Sequence, residues 1–210
     1  MAKEKLNENV IMKALDFAYE KAVDGFTGLD SASEMAENYM SKGGNKKDIA
    51  NSLIRWQNTK AGTSGFLTGI PGLIFMPVTI PANLTSVLFV QVRMIAAIAY
   101  IGGHDLKDDK VKSLVYVCMA GNGAKDILKD IGIVVGKKMV QQMVNNISGK
   151  TIIAINQKVG FRLLTKFGQT GAINIGKSIP FLGGIIGGTF DSVTTNIIGN
   201  VARNTFIGDN

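Results

Sequence analysis

An all-α fold, a compact multi-helix bundle, is what this sequence predicts, and three observations carry the prediction. Apolar residues recur at intervals of three and four in one segment after another. Glycine, asparagine, aspartate and serine mark where those segments begin and end. Helix and strand patterns do not alternate: the two β-branched stretches, Ile131 to Val135 and Thr151 to Ile155, keep helical spacing throughout. With 46% hydrophobic and 19% charged residues among 210, the chain can bury a sizeable core, which argues against disorder.

Val10, Ile11, Ala14, Leu15, Ala18 and Ala22 form one stripe and Glu8, Lys13, Asp16 and Glu20 lie off it, so a helix is expected from Asn7 to Asp24, closed by Gly25. Asp30 or Ser31 caps a second helix through Tyr39, ended by Gly43 and Gly44. Asn45 caps a third, with Ile49, Leu53 and Trp56 as its apolar points. From Ala61 to Val92 no residue carries a charge, and these 32 residues would span a bilayer as one helix. Pro71, Pro77 and Pro81, with Gly62, Gly65, Gly69 and Gly72, interrupt the run, so 62–80 is expected to be a glycine- and proline-rich apolar loop. A buried helix follows from Pro81 to about Ile101, with Arg93 near its middle. Asp108 or Asp109 opens the next helix, stopped by Gly121, Asn122 and Gly123. The spacing then predicts a long helix from Asp126 to Asn146 and another on Ile152, Ile155, Val159, Leu163 and Phe167. Last comes a glycine-rich hydrophobic helix after Pro180, where Gly183 with Gly187 and Gly184 with Gly188 favour close helix packing.

The net charge of +7 is unevenly spread. Residues 1–60 hold nine basic and nine acidic side chains, so the whole excess lies in 61–210, where no glutamate occurs. Such a surface attracts nucleic acid or the anionic cytoplasmic leaflet. Lys125, Lys129, Lys137, Lys138, Lys150, Lys158, Arg162 and Lys166 have no stacking platform around them, since Phe161 and Phe167 stand in apolar company. Anionic lipid is therefore the expected partner and nucleic acid is not. One cysteine, Cys118, excludes an intrachain disulfide framework and fits a reduced, cytoplasmic setting. The polar start, Met1 to Asn9, does not read as a secretory signal.

Two stretches resemble a known family. Gly65 to Leu106, GFLTGIPGLIFMPVTIPANLTSVLFVQVRMIAAIAYIGGHDL, is similar to the EcsC pattern of a glycine-proline apolar loop, a helix ending in glutamine-x-arginine-methionine, and a closing tyrosine, glycine and aspartate. Pro180 to Phe206, PFLGGIIGGTFDSVTTNIIGNVARNTF, resembles the family's second signature, a proline and double-glycine helix ending in a basic residue near an aromatic. The likeness covers roughly 45–207 and gives an expected division into a charged helical lead-in, 1–44, and an EcsC-like domain, 45–210. Asp191, often asparagine in the family, and the Gly102, Gly103, His104 run depart from the pattern. The resemblance implies a bacterial protein connected with membranes and transport, and brings no catalytic residues with it.

Enzymatic constellations are scarce. His104 is the only histidine, and its acidic neighbours Asp105, Asp108 and Asp109 read as helix capping, so no catalytic, metal or cofactor site is expected. Gly121 to Gly123 lacks the Lys-Ser or Lys-Thr of a phosphate loop. Arg93 in an apolar helix needs a paired charge, for which Asp105 and Asp191 are the candidates, and the three form a candidate polar site. Phe66, Leu67, Ile70, Leu73, Ile74, Phe75 and Met76 are candidate membrane contacts, the other role for this apolar segment being a core plug.

The expectation is a peripheral protein at the inner face of the membrane that binds anionic lipid or a membrane partner. The alternatives are a small-molecule or lipid-processing enzyme around Arg93, Asp105 and Asp191, and a membrane-perturbing effector or immunity protein.

Overall fold

The computed structural model describes residues 7–25, 28–61, 82–133, 144–145, 147–174 and 183–208. The apolar segment from Phe66 to Met76 and the pair Lys137 and Lys138 lie outside these residues, as does the side chain of Asp191. What is described is helical, with no strand ladder among the described residues.

Local chemistry sets the ends of the first helices. In α1, Glu8–Asp24, Asn7 accepts a hydrogen bond from the Val10 amide at 2.9 Å and Gly25 closes the helix at φ 79°. α2, Ala32–Met40, opens with a capping box in which the Ser31 hydroxyl and the Glu34 carboxylate each take the other residue's amide proton. Asn45 caps α3, Lys46–Ala61, accepting from the Asp48 amide at 2.9 Å.

α4, Ala82–Gly102, is the axis of the bundle. Every residue from Leu88 to Ala99 is buried, because α1, α2, α3, α5 and the last helix all pack around it. A helix apolar on all sides can be covered only in this way. α1 and α2 join the same hydrophobic core through Ile11, Leu15, Ala18, Met35 and Ala36, so the charged lead-in packs as part of the bundle.

Asp108 caps α5, Asp109–Met119, which a 3₁₀ turn, Gly121–Gly123, joins to α6, Ala124–Asp130. The expected long helix to Asn146 is corrected here. α6 stops at Asp130, with Gly132 at φ 78° and the Ile133 amide donating to the Leu128 carbonyl at 2.8 Å, a Schellman ending. α7, Gly149–Asn174, lays Ile155, Val159 and Leu163 against α1 and α5. α8, Gly183–Phe206, packs on α3, α4 and α5. The double-glycine turn lies in this helix, and the close approach that the structure describes is further along. A Cβ on Gly199 would stand 2.8 Å from Ile54 of α3.

Polar side chains tie the layers together. Tyr116 of α5 donates to the Asp16 carboxylate of α1 at 2.8 Å, and Lys112 reaches the same carboxylate at 2.7 Å. Cys118 is wholly buried, and desolvation pushes its thiol up to about 12, so it holds its proton at neutral pH and is no nucleophile. His104, also buried, donates from Nε2 to the Phe206 carbonyl at 3.0 Å, joining the end of α4 to the end of α8.

Burial, aided by nearby Lys46, holds the His104 imidazole below its usual pKa, outweighing the bond to Phe206. The native state is therefore stabilised with the ring neutral. That contribution is complete above the unfolded value of about 6.5 and declines as pH falls, because the unfolded chain takes up the proton first. Between pH 7 and pH 5 the melting temperature should fall more steeply in the wild type than in His104→Gln, which keeps an amide donor. Equal slopes in calorimetry at several pH values would contradict this role.

Candidate functional site

Two places bring together side chains that the core does not use. The first centres on Arg93. The position on α4 that turns Arg93 toward α2 and α3 leaves it only 9% exposed, with Nε lacking a hydrogen-bond partner. Burial lowers the guanidinium pKa, and the carboxylates that counter this are those of Asp30 and Glu34. Arg93 lines a cleft of about 230 Å³ with Asp30, Asn38, Tyr39, Trp56 and Gln57. Trp56, expected on the apolar stripe of α3, is 51% exposed here, and Gln57 is buried in its stead.

Asp105 is elsewhere. It lies exposed in the α4–α5 loop, where its carboxylate accepts from the Lys107 amide at 2.9 Å, and the following carbonyl, Leu106, accepts from Tyr19 at 2.7 Å. It organises that loop and is not a wall of the Arg93 cleft. Asp191 belongs to α8, and its side chain lies outside the described residues. The sequence therefore identified the arginine but not its company. Gln91, two residues before it, points the other way and donates to Thr195 of α8 at 3.3 Å.

The second place is the outer face of α7. With Ile155, Val159 and Leu163 facing inward, the 100° step of a helix turns Ile153, Gln157 and Phe161 outward. Phe161 is 62% exposed and Ile153 60%, so the apolar company expected for Phe161 is corrected: it stands in solvent. The inward stripe already implied this, because Phe161 falls opposite it on the helical wheel.

Lys150, Lys158, Arg162 and Lys166 share α7 with these side chains, and the helix has no acidic residue of its own. Lys158 reaches back to Asp130 of α6 at 2.8 Å. Arg162 lies across the 3₁₀ turn, where a Cβ on Gly123 would stand 2.7 Å from its Nε. Only glycine leaves that room without displacing the guanidinium. Phe161 and Arg162 form the ridge between two open grooves, one of about 460 Å³ against Gly121, Asn122 and Thr194, and one of about 560 Å³ against Glu8, Asp126 and Asp130. Val193 of α8, 59% exposed, adds a further apolar side chain in solvent.

The two places differ chemically. The α7 face offers exposed apolar groups, Ile153 and Phe161, on a helix whose charged residues are all basic, with Glu8, Asp126 and Asp130 across one adjoining groove. The Arg93 cleft offers one buried cation and nearby carboxylates. Among the described residues no group of three His, Cys, Asp or Glu side chains is arranged to hold a metal ion, and no helix is long and apolar enough to cross a membrane. The family model described as the EcsC protein family matches residues 9–207, nearly the whole chain and including the first helices. The chain matches no curated protein and no solved structure.

Proposed function

The chain belongs to the EcsC protein family, and we propose that it acts as a peripheral protein at the inner face of the plasma membrane, binding anionic lipid through the outward face of α7. The observation that carries this reading is the exposure of Phe161 and Ile153 on a helix with four basic residues and no acidic one. Apolar side chains partition to the acyl boundary, and Lys or Arg beside them meet lipid phosphates.

The uncharged segment Phe66 to Met76 is the second part of the proposal. Leu67, Ile70, Leu73, Ile74 and Phe75 supply apolar groups suited to the same interface. In this reading lipid contact serves to place the protein, and no chemical step is assigned to it.

Co-sedimentation of the full chain with phosphatidylglycerol and phosphatidylcholine vesicles across a salt series tests the proposal. Binding to the anionic vesicles that weakens as salt rises is the expected result, since screening shortens the reach of surface charge. Failure to bind phosphatidylglycerol at low salt would overturn it.

A further inference from the structure

The cleft between α2, α3 and α4 holds a buried charge that the membrane-binding face does not explain. Arg93 is nine-tenths buried, its Nε is unpartnered, and neither nearby carboxylate forms an ion pair with it among the described residues. Glu34 is engaged by the Ser31 amide at 2.7 Å and the Ser31 hydroxyl at 2.8 Å. Asp30 accepts only a long bond, 3.3 Å, from Asn38 and lines the cleft directly. A buried guanidinium left in this state favours an anionic group that accepts its hydrogen bonds.

A simple anion fits poorly, because Asp30 and Glu34 would repel it. A ligand with an anion at Arg93 and a cation at Asp30 satisfies both ends, and Tyr39, whose ring carries Lys42 Nζ at 4.8 Å, and Trp56 also line the cleft. Asp30 and Asn38 are hydrogen-bond acceptors, which favours an ammonium carrying protons over a quaternary one. The volume, about 230 Å³, falls below the range of about 300–1,000 Å³ usual for drug-sized ligands, so a headgroup fits and a whole lipid does not. We infer that this cleft binds a phosphodiester bearing a primary ammonium group, the chemistry of an ethanolamine phospholipid headgroup or of its soluble glycerol ester.

Its place in the chain agrees with a lipid source. Trp56 and Gln57 precede Ala61, where the uncharged run begins, by about one helical turn, and Arg93 is the first residue after the run ends at Val92. The chain thus passes the cleft on both sides of its most apolar segment. The lipid as source rests on the membrane reading above; the chemistry of the cleft does not.

Trp56 is the only tryptophan and lines the cleft, and it also borders a second groove with Arg55 and Thr59, so the Asp30 and Arg93 variants assign a change in its emission to the cleft. Titration of the full chain with sn-glycero-3-phosphoethanolamine should change its emission saturably, and inorganic phosphate should not reproduce the change. Asp30→Asn, at an exposed carboxylate, should weaken the response at least tenfold, and Arg93→Lys should weaken it as much in a protein whose circular dichroism is unaltered. No saturable change in the wild type, an equal response to phosphate, or an unaltered response in Asp30→Asn would each overturn the inference. Phosphatidylglycerol binding measured on the same samples separates the two readings. If it persists while the headgroup response is absent, this inference alone fails. If the soluble ester binds and no vesicle does, the cleft stands as a site for the ester and the membrane reading fails.

Discussion

Reversing two charges on α7, Lys150→Glu with Arg162→Glu, should lower binding to phosphatidylglycerol vesicles by about a thousandfold while leaving the fold intact. Each basic group near an anionic surface contributes about 1 kcal/mol, and each glutamate put in its place opposes binding by a similar amount, so the double reversal changes four such contributions. Both residues are exposed, and neither takes part in the Ile155, Val159, Leu163 seam that holds α7 to the bundle. Arg162 also lies across the Gly121–Gly123 turn, so circular dichroism is recorded on each variant, and Lys150→Glu alone, clear of that turn, should already lower binding about thirtyfold. A variant that sediments as the wild type does at every salt concentration would place the lipid contact elsewhere. Lys158 is a poorer choice for the same test, since it already contacts Asp130 and its loss would disturb α6 as well.

Gly102→Ala should be the most damaging single methyl group in the described part of the molecule. A Cβ there would stand 2.5 Å from the Phe206 carbonyl oxygen and 2.9 Å from Cδ2 of His104. The obstruction on one side is backbone, so it cannot be relieved by rotating a side chain. Moving the end of α8 would also stretch the bond from His104 to Phe206, and Lys46 holds the Gly102 carbonyl at 2.9 Å from the other side. Overpacking of this kind costs about 3 kcal/mol, which in a chain of this length lowers the melting temperature by roughly 6–12 °C. Thermal unfolding followed by circular dichroism measures it, and an unchanged melting temperature would show that the helix ends are not locked.

Part of this fold is legible in the sequence itself. Helix starts at Asn7 and Asn45, and at Ser31 and Asp108 to within one residue, were legible because a cap is made by the residue itself and an amide two or three positions on. The end of α6 was not: apolar spacing continues past Gly132, and a glycine within such spacing is equally an interior residue or a left-handed cap. The Ile133 to Leu128 bond and the positive φ of Gly132 decide it, and both are backbone geometry that apolar spacing does not encode. Arg93 could be recognised as a charge needing an explanation, because it follows a long uncharged run. Its neighbours could not, because Asp30 and Glu34 reach it only through the packing of α2 across α4, from some sixty residues upstream. Phe161 was open to a correct reading, since the inward stripe of α7 fixes which residues face out. Its angle on the helix, not its neighbours in sequence, decides its exposure.

The central claim is that the outward face of α7 meets lipid. A polarity-sensitive fluorophore on Phe161→Cys tests it most directly, and Cys118, buried and with its thiol pushed up to about 12, leaves the new cysteine as the site that reacts. On addition of phosphatidylglycerol vesicles the emission should move to shorter wavelength and gain intensity, and salt should reverse the change. Unchanged emission from a protein that nonetheless sediments with the vesicles would mean that α7 faces water at the membrane, and would contradict the claim.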